Sequence, residues 1–190
     1  GAANTKMAIP VFQRMYTWSP WQCEELWEDI INAGKSGETH FIGSIIYTSE
    51  ALDGANGASE LRSIVDGQQR TTTVTLLFIA LRDWLRERGE TCGLTAQAIE
   101  ERYLYNATPD GRRAMKFTAA PADHETLVYI LEGGEKPERY RFSNRMERNY
   151  RFFVEQMAAE GFELEVMLAG LRQLFAIIVE LGSDDNPQLI

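Results

Sequence analysis

Apolar residues recur with a helical period in several parts of the chain, most clearly after residue 73. There they fall at i, i+3, i+4, i+7, i+10 and i+11. This spacing predicts an amphipathic helix that buries one apolar stripe against a core. The stripe consists of Val74, Leu77, Phe78, Leu81, Trp84 and Leu85.

A second helix is predicted to begin at Pro20. Ser19 and Gln22 have the spacing of a capping box, and proline suits the first helical position. Gly34 is expected to end this helix. Its predicted apolar face consists of Cys23, Leu26, Trp27 and Ile30.

Three other stretches have the composition of extended chain. Residues 9–18 are predicted to be extended, since Pro10 disfavours helix in the residue before it. Phe41–Tyr47 and Leu61–Val65 are apolar and β-branched, which is typical of buried strands. The Asp-Gly and Asn-Gly pairs within residues 49–60 predict a hairpin loop between them. The order strand, helix, strand, strand, helix predicts an α/β fold.

Beyond residue 90 the pattern is mainly helical and less specific. Thr95, Asp123 and Ser143 are predicted helix caps, and a short strand is expected over Met115–Thr118. Residues 174–181 are expected to form either a strand that closes the sheet or the end of a buried helix. The inward side chains of the helix after Ser143 are predicted to be Met146, Tyr150, Phe153, Val154 and Met157.

Composition and charge narrow the function classes. The 190 residues are 44% apolar and carry a formal charge of −9, which predicts a globular chain without a broad nucleic-acid-binding surface. The two cysteines lack a CxxC spacing and the two histidines are isolated, so neither a disulfide framework nor a zinc site is indicated. The sequence has no apolar run of membrane-spanning length and no visible signal peptide, so we expect a cytoplasmic location.

Asp66-Gly67-Gln68-Gln69-Arg70 lies between a predicted strand and the helix with the apolar stripe. A strand-to-helix turn directs the free N–H groups of the first helical turn, with their partial positive charge, toward a ligand. Gly67 permits close backbone approach or a positive φ, and Arg70 can bind a phosphate through two parallel hydrogen bonds. Asp66 can hold a cation or cap the helix, and the glutamines can orient water or contact a base. We call residues 66–70 the corner and predict that it is the functional centre.

A purely structural interpretation of the corner is also open. Asp66 and Gly67 would then form a tight turn with a side-chain cap, and the next three residues would be solvated first-turn positions. Arg14 presents a similar choice. It either converges with Arg70 on one anion or is a surface arginine beside packed aromatic residues.

The motifs of residues 9–85 resemble the amino-terminal domain of GmrS, from modification-dependent restriction systems that include the phosphorothioate-sensing SspE proteins. The matching motifs are, in order, Ile9-Pro-Val-Phe-Gln-Arg14, Tyr16, Trp18, Gln22, Leu26-Trp-Glu-Asp-Ile30, Phe41-Ile-Gly-Ser-Ile45 and Asp66-Gly-Gln-Gln-Arg-Thr-Thr72. Phe12 stands where tyrosine is usual in the first motif, which removes a hydroxyl and keeps the aromatic ring.

The resemblance implies that residues 1–90 form a ParB/sulfiredoxin-like core that binds and hydrolyses GTP, UTP or CTP with Mg²⁺ or another divalent cation. Residues 91–190 would be a mainly helical extension. The resemblance assigns catalytic roles to Asp66, Gln68, Gln69 and Arg70. Asp66 is also expected to be a ligand of the metal ion. It assigns nucleotide contacts to Gln13, Arg14, Gly43, Ser44, Gly67, Thr71 and Thr72.

A later Asn- and Arg-containing motif and an HNH-type nuclease domain are also typical of that family, and neither occurs in this sequence. We therefore expect a piece of a longer protein that acts with modified DNA and with an HNH-type nuclease domain or subunit. No nuclease activity is expected in the piece itself.

Three functions remain open at this point. The chain is an NTP-hydrolysing sensor, a module that binds nucleotide without hydrolysis, or a module whose corner binds the phosphates of modified DNA. A P-loop NTPase is excluded, because the sequence has no Gly-x-x-x-x-Gly-Lys-Ser/Thr motif.

Arg141, Arg145 and Arg148 are predicted to share one face near the helix that Ser143 caps. In so acidic a chain, this stripe is a candidate contact for nucleotide or DNA phosphate. The alternative is a solvated face that pairs with Glu147 and its neighbours.

Overall fold

The computed structural model describes residues 4–52, 59–108, 111–182 and 185, and its fold is mixed α/β, as predicted. The strands are β1 (Asn4–Ala8), β2 (His40–Leu52), β3 (Ser59–Asp66), β4 (Tyr105–Ala107), β5 (Arg113–Met115), β6 (Phe117–Thr118) and β7 (Leu174–Leu181). Among these described residues, one sheet has the order β6-β1-β3-β2-β7, and β4 and β5 form a separate hairpin.

The central sheet draws on both halves of the chain. β1 is parallel to β3 and β6, whereas β2 is antiparallel to β3 and parallel to β7. β7 confirms the strand alternative for residues 174–181. Both edge strands, β6 and β7, come from beyond residue 91, so the later half of the chain completes the sheet. The division near residue 90 into two parts stays a prediction.

Helices supply most of the hydrophobic core. A π-helical turn, Glu100–Leu104, continues α3, and a 3₁₀ turn, Arg139–Arg141, precedes α5. Within the described ranges, no helix combines the length and the apolar character needed to cross a membrane. The α-helices are α1 (Pro20–Ser36), α2 (Gln68–Arg88), α3 (Ala96–Ile99), α4 (Pro121–Glu132), α5 (Asn144–Ala158) and α6 (Leu164–Gln173).

The predicted apolar stripe lies in α2, but α2 is buried around more of its circumference than one stripe. The buried members of the stripe are Leu77, Leu81 and Leu85. Buried residues outside it include Leu76, Ile79 and Ala80. α2 packs against α3 and α5 and shares the core with Ile64 of β3. The corner therefore stands at the start of a well-buried helix.

α1 passes through Gly34, which was predicted to end it, and is capped instead by Gly37 in a left-handed conformation (φ 74°). Gly34 lies where α1 crosses α6. A Cβ on Gly34 would be 2.0 Å from the carbonyl oxygen of Val166, and a Cβ on Gly170 would be 1.8 Å from that of Ile30. The two helix backbones are therefore in direct contact at this pair of glycines.

Three local predictions differ from the structure. Residues 9–18 are not uniformly extended, because a turn interrupts them at residues 11–13. Asp123 does not cap α4, since Ala120 holds the cap position and Asp123 lies in the first turn. Val154 of α5 is 36% exposed and does not point inward. These three predictions are wrong.

The caps predicted at Thr95 and Ser143 are confirmed. Their hydroxyl oxygens accept hydrogen bonds from the amides of Ala98 and Met146, respectively. Each satisfies one amide that the helix itself leaves without a partner.

Gly34→Ala is expected to destabilise the fold, although alanine is the better helix former by roughly 0.5–1 kcal/mol. The added methyl would force α1 and α6 apart, an overpacking cost of about 1–3 kcal/mol. Denaturant unfolding measures this loss. Lys35→Ala is the control, because Lys35 is an exposed residue of the same helix and its truncation adds no group at the crossing. A Gly34→Ala variant as stable as the wild type would contradict the close helix contact.

Candidate functional site

The corner joins β3 to α2 through a single glycine. β3 ends at Asp66, Gly67 adopts a left-handed conformation (φ 90°), and α2 begins at Gln68. A Cβ on Gly67 would lie 2.9 Å from the carbonyl oxygen of Ser44. The turn therefore requires glycine for its φ and for the space it leaves.

The first turn of α2 has no side-chain cap from a described residue, although Gly67, Gln68 and Gln69 are themselves buried. Gly67 is the cap residue, and no side chain in the described part of the chain caps this helix. Asp66 is exposed, so the interpretation of Asp66 as the cap is wrong. The first N–H groups of a helix lack intrahelical partners and carry partial positive charge. At the corner this charge is not offset by a cap.

Arg70 is held against β2. Its Nη1 donates a hydrogen bond to the carbonyl oxygen of Ser44 at 3.1 Å. Its guanidinium lies directly over Gly43, where a Cβ would fall 2.5 Å from Nη2. Gly43 has a φ of 101°, and the pairing of β2 with β7 shifts register beside it. The structure thus brings together Gly43, Ser44 and Arg70, all predicted to belong to the site.

Two glutamine amides meet on the strand side of the corner. Nε2 of Gln13 and Nε2 of Gln68 both donate to the carbonyl oxygen of Val65, at 3.1 and 2.8 Å. This places Gln13 next to the corner. Arg14 is exposed and forms no ion pair with a described residue, so its convergence with Arg70 stays a prediction.

Gln69 binds the segment that precedes α1, residues 13–18, which we call the strap. Its Oε1 accepts hydrogen bonds from the amides of Thr17 and Trp18, at 2.6 and 3.2 Å. Its Nε2 donates to the carbonyl oxygen of Met15 at 3.1 Å. Gln69 is only 6% exposed. Its amide therefore holds the strap against α2 instead of facing solvent.

The two threonines after the corner bond back along the helix. The hydroxyls of Thr71 and Thr72 donate to the carbonyl oxygens of Gly67 and Gln68, at 3.0 and 2.8 Å. Thr72 is 1% exposed, whereas Thr71 is partly exposed. Of the two, Thr71 is the one with surface available for a ligand.

A buried polar network that the sequence did not reveal anchors the strap. Tyr16 Oη lies 2.6 Å from Thr73 Oγ1 of α2 and accepts a hydrogen bond from Asn149 Nδ2 of α5 at 2.8 Å. The same Nδ2 donates to the carbonyl oxygen of Trp18 at 2.9 Å. Burial raises the pKa of the Tyr16 hydroxyl far above its usual range, so it stays neutral. These partners are 57 and 133 residues apart in the chain, beyond the reach of local patterns.

Asp123 of α4 fixes the strap backbone from another side. Its Oδ2 accepts a hydrogen bond from the amide of Tyr16 at 2.6 Å, and the residue is 3% exposed. Burial raises the pKa of the Asp123 carboxyl, and the hydrogen bond from Tyr16 offsets only part of this effect. A negative charge on this group is therefore costly in the folded protein.

Asp123→Asn keeps an oxygen acceptor for the strap and removes the charge. Because the folded-state pKa of Asp123 is raised, its carboxyl favours folding when protonated, and this contribution is lost as the pH rises through that pKa. We expect Asp123→Asn to gain stability relative to the wild type between about pH 4 and about pH 7, above the ordinary aspartate pKa. Thermal melts over this range test it. A difference that falls with pH would show that the strap stabilises the anion.

The three arginines predicted as one stripe lie in different surroundings. Arg141 belongs to the 3₁₀ turn before α5 and pairs with a glutamate of α4. The prediction that it shares a face with Arg145 and Arg148 is therefore wrong. Arg145 Nη1 donates to the carbonyl oxygen of Thr17 in the strap at 2.5 Å, and Arg148 is exposed. Glu147, their alternative partner, pairs with other cations. Arg145 therefore supports the strap, and Arg148 keeps an open surface.

Arg70 also lines a cleft of about 360 Å³ between α1 and the start of β2. Asp29 Oδ2 of α1 lies 3.1 Å from His40 Nε2 of β2. In the described ranges, no group of three His, Cys, Asp or Glu side chains is arranged to hold a metal ion. Arg70 is the corner residue that lines this cleft, whose other walls include Trp18, Glu25, Asp29, His40 and Phe41.

The sequence of this chain is similar to one known family. The sequence model of the family described as GmrSD restriction endonuclease, N-terminal domain, matches residues 2–190. The chain belongs to this family. The match spans the strap, the corner and the later helices, and it confirms the resemblance noted over residues 9–85. No curated protein matches the chain. Membership in the GmrSD family places the chain in a restriction system.

Proposed function

We propose that the corner binds the phosphates of GTP, UTP or CTP and that the domain hydrolyses the nucleotide as the sensor of a modification-dependent restriction endonuclease. The supporting observation is that the uncapped start of α2 and the guanidinium of Arg70 meet at Gly67 and Gly43. Helix starts bind anions through backbone N–H groups, and arginine adds a charged partner of fixed geometry. The proposal includes a ParB/sulfiredoxin-like core. Its expected partners are modified DNA and an HNH-type nuclease domain or subunit.

The groups at the corner fit a divalent cation that is bound chiefly through the nucleotide. Asp66 is exposed at the end of β3, and the described residues offer no cluster of three ligating side chains. Mg²⁺ usually keeps several waters and binds one or two carboxylates together with substrate phosphates. Asp66 would hold such an ion, whose charge would neutralise and orient the phosphates.

Hydrolysis at this corner would be largely electrostatic. A water oxygen attacks the γ-phosphorus in line, the bond to the β–γ bridging oxygen breaks, and that oxygen leaves with the nucleoside diphosphate. Arg70 and the first N–H groups of α2 stabilise the charge on the γ-phosphate oxygens. Gln69 is a positioning residue, because its amide holds the strap. Gln68 is equally buried and its Nε2 is bonded to Val65, so only its Oε1 is left for a water-orienting role.

Arg70→Ala is expected to weaken nucleotide binding by about 1.5–3 kcal/mol, the scale of a charged hydrogen bond. Its melting temperature should change little, since Arg70 is only partly buried. Titration calorimetry with the four nucleoside triphosphates and Mg²⁺ measures the affinity. Arg88→Ala, at the far end of α2, is the control and should bind like the wild type. Intact binding by Arg70→Ala, with a large fall in melting temperature, would make Arg70 structural.

Asp66→Asn separates hydrolysis from binding, because it keeps the size of the side chain and removes the charge. Nucleotide should still bind, while phosphate release should fall at least about tenfold, equal to about 1.4 kcal/mol in the barrier. Glu87→Gln, near the end of α2, is the matched control.

Two results in the phosphate-release assay would contradict this account. Undiminished turnover by Asp66→Asn would remove Asp66 from the mechanism. A wild-type chain that binds nucleotide but releases no phosphate, with and without modified DNA, would be a binding module and not a hydrolase.

A further inference from the structure

The cleft beside Arg70 has a charge pattern opposite to that of the corner. Glu25 and Asp29 line it from α1, one helical turn apart, and Arg70 is the one lysine or arginine among the described residues that line it. Carboxylates repel phosphate and accept hydrogen bonds from hydroxyl and amino groups. A ligand that lies across Arg70 would therefore place its anionic end at the corner and a neutral, donor-rich end in the cleft.

Trp18 forms an aromatic wall of this cleft, and hydrogen bonds to the corner and to α5 hold its backbone in place. Its backbone amide donates to Gln69 at 3.2 Å, and its carbonyl oxygen accepts from Asn149 at 2.9 Å. The side chain is partly exposed. Aromatic side chains stack on nucleobases with little dependence on which base is present. Trp18 therefore offers an aromatic surface, anchored through its backbone, on which a base can stack.

The size of the cleft fits a nucleoside. Its volume of about 360 Å³ lies at the lower end of the range of about 300–1,000 Å³ found for small-molecule sites. Asp29 is held by His40 at 3.1 Å, while Glu25 is exposed. One fixed carboxylate and one adaptable carboxylate therefore face the same space.

We propose that this cleft is the nucleoside subsite, in which Trp18 stacks on the base and Glu25 and Asp29 accept hydrogen bonds from the ribose hydroxyls. The inference rests on the proposed nucleotide-binding function of the corner and specifies its substrate. It selects ribonucleoside triphosphates over their 2′-deoxy counterparts and over inorganic tripolyphosphate.

The test compares three classes of probe on the 190-residue chain by calorimetry with Mg²⁺. They are GTP, UTP and CTP, their 2′-deoxy forms, and inorganic tripolyphosphate. Glu25→Gln should reduce the preference for ribonucleotide over deoxyribonucleotide by about threefold, because a neutral amide oxygen replaces a charged acceptor and still accepts a hydrogen bond. It should not weaken tripolyphosphate binding, because it removes a repulsive charge. Glu28→Gln, on the same helix but outside the cleft, is the control.

Trp18→Ala should weaken nucleotide binding about tenfold, the scale of one base-stacking contact, and leave tripolyphosphate binding unchanged within about twofold. Trp18→Phe should recover most of the loss, since it restores an aromatic surface. Trp21→Ala is the control, because Trp21 is 63% exposed and lies outside the cleft. Should Trp18→Ala fail to fold in thermal melts, Trp18→Phe and Glu25→Gln carry the test.

The outcomes separate this inference from the function on which it rests. If nucleotides bind the wild type but Glu25→Gln and the Trp18 variants leave selectivity unchanged, the nucleoside lies elsewhere and the inference is overturned. Equal losses for nucleotide and tripolyphosphate would overturn it as well. If the wild type binds neither nucleotide nor tripolyphosphate, the proposed function of the corner itself fails.

Discussion

The amide of Gln69 is the interaction on which the candidate site depends. It joins α2 to backbone groups of Met15, Thr17 and Trp18, which precede it by 54, 52 and 51 residues. Burial of a backbone donor or acceptor without a partner costs about 1–3 kcal/mol. Met15 and Thr17 are exposed, so loss of this one side chain would leave three strap groups without a protein partner at less than that full cost. Gln69, which the sequence suggested as a ligand contact, therefore holds the strap against α2.

The strap in turn connects the corner to the later helices. Tyr16 bonds to Asn149 of α5 through its hydroxyl and to Asp123 of α4 through its amide. Arg145 of α5 donates to the carbonyl oxygen of Thr17. A displacement of α4 or α5 would therefore move the strap, and with it Gln13 at the edge of the corner. These hydrogen bonds form a physical route between the corner and the helices of the later half of the chain.

The sequence revealed the parts of this structure that depend on local chemistry. Periodicity located α2, and the capping box located the start of α1. Residue type alone predicted the glycine turn at Gly67, next to an arginine that is suited to bind phosphate. It could not reveal Asn149 or Asp123 as partners of the strap, because periodicity reports burial and not the identity of a distant partner. Gly34 shows the same limit, since glycine is expected both at a helix end and at a close helix crossing. Only the position of α6 distinguishes these two roles.

The central claim is that triphosphate binds at the start of α2. Amide chemical shifts of the isotopically labelled chain, followed by NMR during titration with GTP, UTP or CTP and Mg²⁺, test it most directly, because backbone N–H groups are the proposed ligands. The account predicts the largest shifts at Gly67, Gln68, Gln69 and Arg70, with smaller ones at Gly43 and Ser44. Shifts confined to the surface around Arg148, or an unchanged spectrum at millimolar nucleotide, would contradict it.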